Sequence, residues 1–520
     1  MRSELLKDIL KARVYDVARH TPLQEAGGLS KQWNNHILIK REDLQPIFSF
    51  KIRGAYNCLA QLSVEERARG VICASAGNHG QGLALAAKHF AIPAWVVMPM
   101  TTPEIKIKAV ANWGAEVVLA GDHYAQAWDH AQILACTLGA TMIHPFDDWR
   151  VIAGQGTVGK ELVEDCPHMD YVFVPVGGGG LLAGIATYIK ALYPQVRIIG
   201  VEPKDSDAMT RSIHQRERVS LQSVGIFADG VAVRQVGKLT YSIIQECVDD
   251  FVLVSTDEIC SAIHDIYKET RSIVEPAGAL SWAGAKAYLQ EHELQDQTVI
   301  TINSGANMNF QRLQFAAERA LTGAGLEALF AIRLDERKGA LKEFCKHIIV
   351  GKSITEFNYR CHDPREAFIF LGVATSGPAE RPELGKLLQR LGYAFADLTD
   401  NELAKEHVRH MVGGRPHHLR HEALYSFVFP ERPSALADFL AVMSERWNIT
   451  LFHYRSHGAD YGRVLIAFEV TEDEKEIFET HLRCVGYSFT CETHNLAYSL
   501  FLQNQQHAWQ RSSTARYAPN

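Results

Sequence analysis

From residue 1 to about residue 320, short β-branched runs alternate with longer helical patterns, and this alternation constrains the fold more than any other feature of the chain. Ile37 to Lys40, Gly70 to Ala74, Ala94 to Met98, Glu116 to Leu119, Tyr171 to Val176, Arg197 to Val201 and Thr298 to Ile302 read as strands. Between them, Gln81 to His89, Pro103 to Trp113, Tyr124 to Leu138 and Leu181 to Leu192 read as helices. A parallel strand pair needs a long crossover, and helices supply it, so the pattern predicts an α/β, doubly wound arrangement with parallel sheets. Ligands of such folds gather at the carboxyl ends of strands, which directs attention to the loops that follow them.

The pattern changes near Thr322-Gly323-Ala324-Gly325, and a repeat begins. Pairing each residue with the one 95 positions later matches Glu336 with Glu431, Arg337 with Arg432, Ala340 with Ala435, Leu341 with Leu436 and Phe344 with Phe439. It also matches Ile354 with Ile449, Thr355 with Thr450, Phe357 with Phe452, Tyr359 with Tyr454 and Arg360 with Arg455. Each copy reads strand, helix, strand, strand, helix, strand, a small α+β module of the ferredoxin-like kind. Met411-Val412-Gly413-Gly414-Arg415-Pro416-His417-His418 reads as the linker between copies. A duplicated scaffold without a ligand satisfies the same pattern.

Composition excludes several partners. The formal net charge is -7 over 520 residues, without a long basic run, so nothing invites nucleic acid or an anionic membrane. The longest apolar stretch, Tyr171 to Leu192, is broken by Pro175 and four glycines, and so reads as strand, loop and helix rather than a membrane span. Ten scattered cysteines form no Cys-x-x-Cys pair and no zinc-spaced cluster, which fits reduced thiols in a cytoplasmic protein. The acidic, h-region-free start Met1 to Asp8 carries no targeting pattern.

Four segments carry chemistry. In Phe48-Ser49-Phe50-Lys51-Ile52-Arg53-Gly54-Ala55-Tyr56-Asn57, one lysine sits between apolar neighbours at the start of a helical run. Apolar surroundings disfavour the ammonium form, making Lys51 a candidate nucleophile, although a lysine after an aromatic residue is commonly a solvated side chain on an apolar surface. Ser75-Ala76-Gly77-Asn78-His79-Gly80 follows a strand and opens a helix, where exposed N–H groups suit an anion such as a carboxylate; a capped helix entered through a glycine turn reads the same way. The loop Gly177-Gly178-Gly179-Gly180-Leu181 lets backbone approach a phosphate closely. Its Gly178-x-Gly180-x-x-Ala183 spacing also satisfies a dinucleotide fingerprint, with Glu202 placed to bind a ribose, so an NAD-dependent oxidoreductase stays open at this point. Ser304, in Asn303-Ser304-Gly305-Ala306-Asn307 after the last strand, is a turn former or a partner for a cofactor ring nitrogen.

These four segments, in this order, resemble the fold-type II pyridoxal-phosphate enzymes, and over nearly its whole length the chain resembles the biosynthetic threonine dehydratases (threonine ammonia-lyases). The resemblance implies a two-lobed catalytic region over residues 1–321, with a smaller lobe at roughly 45–145. Two ACT-like regulatory domains would follow at 328–402 and 422–498. It implies pyridoxal 5'-phosphate carried by Lys51, with its phosphate in the cup Gly177, Gly178, Gly179, Gly180 and Leu181. Asn78 would stand beside the 3′-oxygen, Ser304 at the pyridine nitrogen, and Ser75, Ala76, Gly77, Asn78 and His79 around the substrate carboxylate.

The implied reaction is β-elimination and deamination of L-threonine, and of L-serine, to 2-oxobutanoate or pyruvate and ammonia. This would be a committed step of isoleucine biosynthesis, inhibited by isoleucine and relieved by valine, in a homotetramer. A serine at the ring nitrogen does not favour a charged pyridinium, which favours prompt elimination over transamination. Serine racemases resemble the chain but place a second serine where Ala76 stands, so racemisation is not expected. Some relatives bind a divalent cation near a segment like Val201 to Asp207; the acidic spacing differs here, and no metal is assigned. An amino-acid-sensing protein with an inactive catalytic part remains a further alternative, one that leaves Lys51 idle.

Overall fold

The computed structural model describes residues 2–335, 344, 347–348, 354–360, 366–410, 421–430, 447, 449–455 and 461–502. The chain divides into one compact unit over Met1–Ala320 and a second beginning at Leu321.

The first unit holds ten strands: β1 (Leu23–Glu25), β2 (His36–Arg41), β3 (Val71–Ala74), β4 (Ala94–Met98), β5 (Glu116–Leu119), β6 (Thr141–Met142), β7 (Tyr171–Pro175), β8 (Arg197–Pro203), β9 (Asp250–Val254) and β10 (Thr298–Asn303). They form two sheets, in keeping with the expected two-lobed region with parallel sheets. The larger runs β1-β2-β10-β7-β8-β9, parallel except for the short edge strand β1, and the smaller runs β5-β4-β3-β6, parallel throughout. The chain lays down β1 and β2 in the larger sheet, leaves to build the smaller one, and returns at β7. Helices cover both faces, as the near-continuous burial of β2, β3, β7 and β10 requires. The strands that the sequence reading lacks include β1 and β6, three and two residues long, too short to leave a period.

The helix Lys51–Ala60 is held by what it packs on. It crosses the helix Trp149–Asp165 where glycines meet: a Cβ on Gly54 would overlap Gln155, and one on Gly154 would stand 2.7 Å from the Gly54 Cα. Only hydrogen side chains allow that approach. Two residues beyond Lys51, the fully buried Arg53 engages two carboxylates at once. Its Nε and Nη2 donate to Glu42 (2.8 and 2.7 Å), while Nη1 and Nη2 donate to Glu161 (2.6 and 2.9 Å). Lys40, also fully buried, adds a second cation 2.8 Å from Glu161, so the buried charges balance.

The second unit holds two four-stranded antiparallel sheets. One comprises β11 (Glu327–Asp335), β12 (Ile354–Arg360), β13 (Glu366–Ala374) and β14 (Ala394–Asp397), in the order β12-β13-β11-β14. The other comprises β15 (Glu422–Pro430), β16 (Ile449–Arg455), β17 (Tyr461–Glu469) and β18 (Ser488–Cys491), in the order β16-β17-β15-β18. The repeat extends to register. Glu327 faces Ala374 as Glu422 faces Glu469, and the irregularity between Ile354 and Glu356 recurs between Ile449 and Leu451. One apolar cluster joins the copies, with Leu329, Ala331 and Phe370 packed among Leu424, Leu465 and Ala467. Beside it Asn401 and Asn495, each capping a short helix, meet at 3.3 Å. The linker Met411 to His418 and the matched positions 336–341 and 431–439 lie outside the described residues.

Candidate active site

Lys51 begins its helix at the end of a turn tied to the far end of β10. Phe50 N–H donates to Ser304 O (3.2 Å), Ser49 pairs with Gly305, and Ala306 N–H donates to Phe48 O (2.9 Å). Phe48 takes a left-handed backbone (φ 55°), a conformation an aromatic residue adopts at a cost the surrounding bonds must offset. Two sequence-distant segments, the lysine motif and the Ser304 loop, are thereby one structure. The Lys51 ammonium donates to Pro145 O at 3.2 Å and lies 5.2 Å from the Phe50 ring centre. Burial lowers its pKa from 10.5 to about 8, against the opposing charge of Glu275, so the neutral amine becomes accessible near physiological pH.

The segment His144 to Asp147 links this lysine to the glycine loop. Pro145 receives the lysine, and the Phe146 ring fills the space a Cβ on Gly178 would occupy. Asp147 takes the N–H groups of Lys238 and Leu239 at 2.9 and 2.8 Å, fixing the helix Lys238–Cys247. That helix contributes Thr240, whose hydroxyl donates to Gly178 O at 2.6 Å and so engages that carbonyl. The N–H groups of Gly177, Gly178, Gly179, Gly180 and Leu181 have no partner among the described residues. All but Gly177 belong to buried residues, and Gly179 sits at φ 93°, where an L side chain is strained. Such a row of buried donors at the start of the helix Gly180–Leu192 is costly unless an anion accepts from it.

Within the Ser75–His79 loop, some polar groups are already engaged by the protein. The Ser75 hydroxyl accepts from Gly77 N–H (3.3 Å) and Gly80 N–H (3.1 Å), so Gly77's donor is engaged internally. The His79 ring is buried, its Nε2 set 3.2 Å from Ile143 O, and burial lowers its pKa to about 3, so it is a neutral packing group and not an imidazolium for a carboxylate. The backbone N–H groups of Ala76, Asn78 and His79 have no partner among the described residues, and a Cβ on Gly77 would stand in open space. Ser304, 3% exposed, donates its hydroxyl to Ala277 O at 3.1 Å.

Glu202 overturns the dinucleotide alternative. Its carboxylate is fully buried and accepts from Met209 N–H, Thr210 N–H and the Thr210 hydroxyl at 2.9, 2.7 and 2.6 Å. It caps the helix Ala208–Gln215 and has no face left for a ribose.

Two residues at the site escaped the sequence reading. Glu275, 6% exposed, accepts from Asn78 Nδ2 at 2.6 Å, and burial pushes its carboxyl up to about 7. Asn307 donates to Asn78 Oδ1 at 2.7 Å and to Ile47 O at 2.8 Å. Glu275-Pro276 reads locally as a helix start, and nothing in it signals a partner 197 residues away.

Residues 14–305 match the family of pyridoxal-phosphate-dependent enzymes, and residues 318–408 and 413–502 match the C-terminal regulatory domain of threonine dehydratase. The biosynthetic L-threonine dehydratase of Pasteurella multocida is 47% identical over 501 residues, covering 96% of this chain and 98% of that one. Its Escherichia coli counterpart is 48% identical, covering 96% and 97%. Among solved structures, the processed form of threonine deaminase isoform 2 from Solanum lycopersicum is 48% identical with a TM-score of 0.61, over 61% of this chain and 93% of that one. The residues present fit the cofactor this likeness requires: the unpaired glycine-loop donors suit its phosphate, and the amine of depressed pKa suits its aldehyde. With that fit, and with likeness running nearly from end to end, the chain belongs to the biosynthetic threonine dehydratases, pyridoxal-phosphate-dependent carbon–nitrogen lyases with a C-terminal regulatory domain.

Proposed function

We propose that Lys51 is the residue that carries pyridoxal phosphate and that the Gly177–Leu181 donors hold its phosphate. Asn78 then faces the ring oxygen and Ser304 the ring nitrogen, while the Ala76, Asn78 and His79 N–H groups take the substrate carboxylate. The observation carrying this reading is the convergence of Lys51, Ser304 and the glycine loop through Phe50, Pro145 and Phe146.

The bound cofactor supplies an electron sink for the pair left when the α-proton departs. The protein's own work is positional and protonic. Lys51, whose neutral form burial makes accessible, accepts the α-proton. The Ser304 hydroxyl can turn from Ala277 O towards the ring nitrogen, and being uncharged it does not hold a proton there. The carboxylate site at the start of the Asn78–Phe90 helix fixes which substrate bond points at Lys51.

L-Threonine yields 2-oxobutanoate and ammonia in this reading, and L-serine, which shares the β-hydroxyl, yields pyruvate. Isoleucine inhibits and valine relieves the inhibition through two regulatory domains at 328–402 and 422–498. The catalytic region spans 1–321, with its smaller lobe at roughly 45–145, in a cytoplasmic homotetramer. The duplicated register of the second unit supports two effector-scale modules. A single spectrum tests the central assignment: purified protein should show a visible cofactor band that borohydride removes and Lys51→Ala lacks. Wild-type protein colourless after incubation with pyridoxal phosphate would refute it.

A further inference from the structure

We infer that Asn307 and Glu275 are positioning residues that lock the Asn78 amide with an N–H, and not its carbonyl, turned to the cofactor. The inference rests on the reading above that Asn78 faces the cofactor ring oxygen. It starts from a backbone group that can act in only one sense. Ile47 O can only accept, so the Asn307 atom 2.8 Å from it must be the amide nitrogen. The second proton of that nitrogen then points at Asn78, 2.7 Å away, and requires an oxygen there. Asn78 is thereby oriented with Oδ1 towards Asn307 and Nδ2 towards Glu275, whose Oε1 accepts at 2.6 Å.

The flipped amide would set nitrogen against nitrogen at Asn307, a contact without a bond, and oxygen against Glu275, which has no proton to give it while ionised. One Nδ2 proton serves Glu275, and the other is the donor left for a ligand. An oxygen opposite it is bound as an acceptor, which favours its anionic form.

Glu275 does not act alone electrostatically. Asp229 faces it from the turn Asp229–Val231, pushing its pKa up, whereas Lys106 of the helix Glu104–Ala111 and Arg312 of the helix Phe310–Gly323 pull it down. Both cations pair with Asp229, at 2.6 and 3.0 Å. Around Lys51 stand Glu275, His79 and His144.

The test titrates cofactor-free protein with pyridoxal phosphate, following affinity and the visible band, with the thermal midpoint of the cofactor-free protein as a folding control. Asn307→Asp, which can only accept, forces Asn78 to flip; it should weaken affinity about thirtyfold or more and displace the band. Asn307→Leu should weaken affinity about tenfold, the size of one hydrogen bond to a charged group. Glu275→Gln keeps an acceptor and should bind within about threefold, yet lower the pH at which the bound cofactor's absorbance switches, because a neighbouring negative charge is gone. Folded Asn307→Asp with wild-type affinity and band overturns the inference. Should that variant not fold, unchanged affinity in Asn307→Leu together with an unchanged pH midpoint in Glu275→Gln overturns it. A borohydride-resistant band in Lys51→Ala would instead refute the underlying cofactor assignment.

Discussion

Lys51 owes its chemistry to its surroundings rather than to its position in a motif. Burial draws its pKa down from 10.5 to about 8, while Glu275 restrains the shift. The neutral amine is the nucleophile, so the rate at which cofactor-free protein recombines with pyridoxal phosphate should rise through about pH 8 and level off above it. Stopped-flow absorbance checks this; a rate still climbing steeply at pH 10 would mean an unperturbed lysine. Glu275→Gln should move the midpoint down, since the carboxylate that favours the ammonium has been removed. Lys51→Ala should cost turnover by about a thousandfold or more, the scale of losing a positioned proton-transfer group.

Among the elements, the helix Lys51–Ala60 and the glycine loop hold the site to its geometry. Arg53 anchors the first through two forked carboxylate pairs, and removing it leaves Glu42 and Glu161 buried without their main partner. Arg53→Leu should therefore destabilise cofactor-free protein by about 3–5 kcal/mol, read as a lowered urea midpoint. Arg53→Lys should recover little of it, because an ammonium cannot reproduce the fork. In the glycine loop, a Cβ on Gly178 would overlap the Phe146 ring. Gly178→Ala should push Phe146 and its neighbour Pro145 aside, weakening cofactor affinity at least tenfold with a smaller loss of thermal midpoint. Equilibrium titration against a melting curve separates the two effects.

At the scale of the whole molecule, the first unit carries its own cores and all of the proposed site, and the second carries a duplicated register. A chain ended near residue 325 should still form 2-oxobutanoate from L-threonine but no longer respond to isoleucine. Unchanged inhibition in that shortened enzyme would place the effector site in the first unit. The repeat, the main strands and the loops after them were legible because period, β-branching and glycine clusters act within a few residues of themselves. Lys51, Asn78, Ser304 and the glycine row could accordingly be picked out as candidates, their cofactor roles coming from the family resemblance. What only tertiary structure decided lies between distant segments: the burial of His79 against Ile143, and Glu275 and Asn307 closing on Asn78. Each depends on groups 64 to 229 residues apart meeting in a low-dielectric interior, where packing sets which polar atoms must be paired, and local sequence carries no record of that pairing.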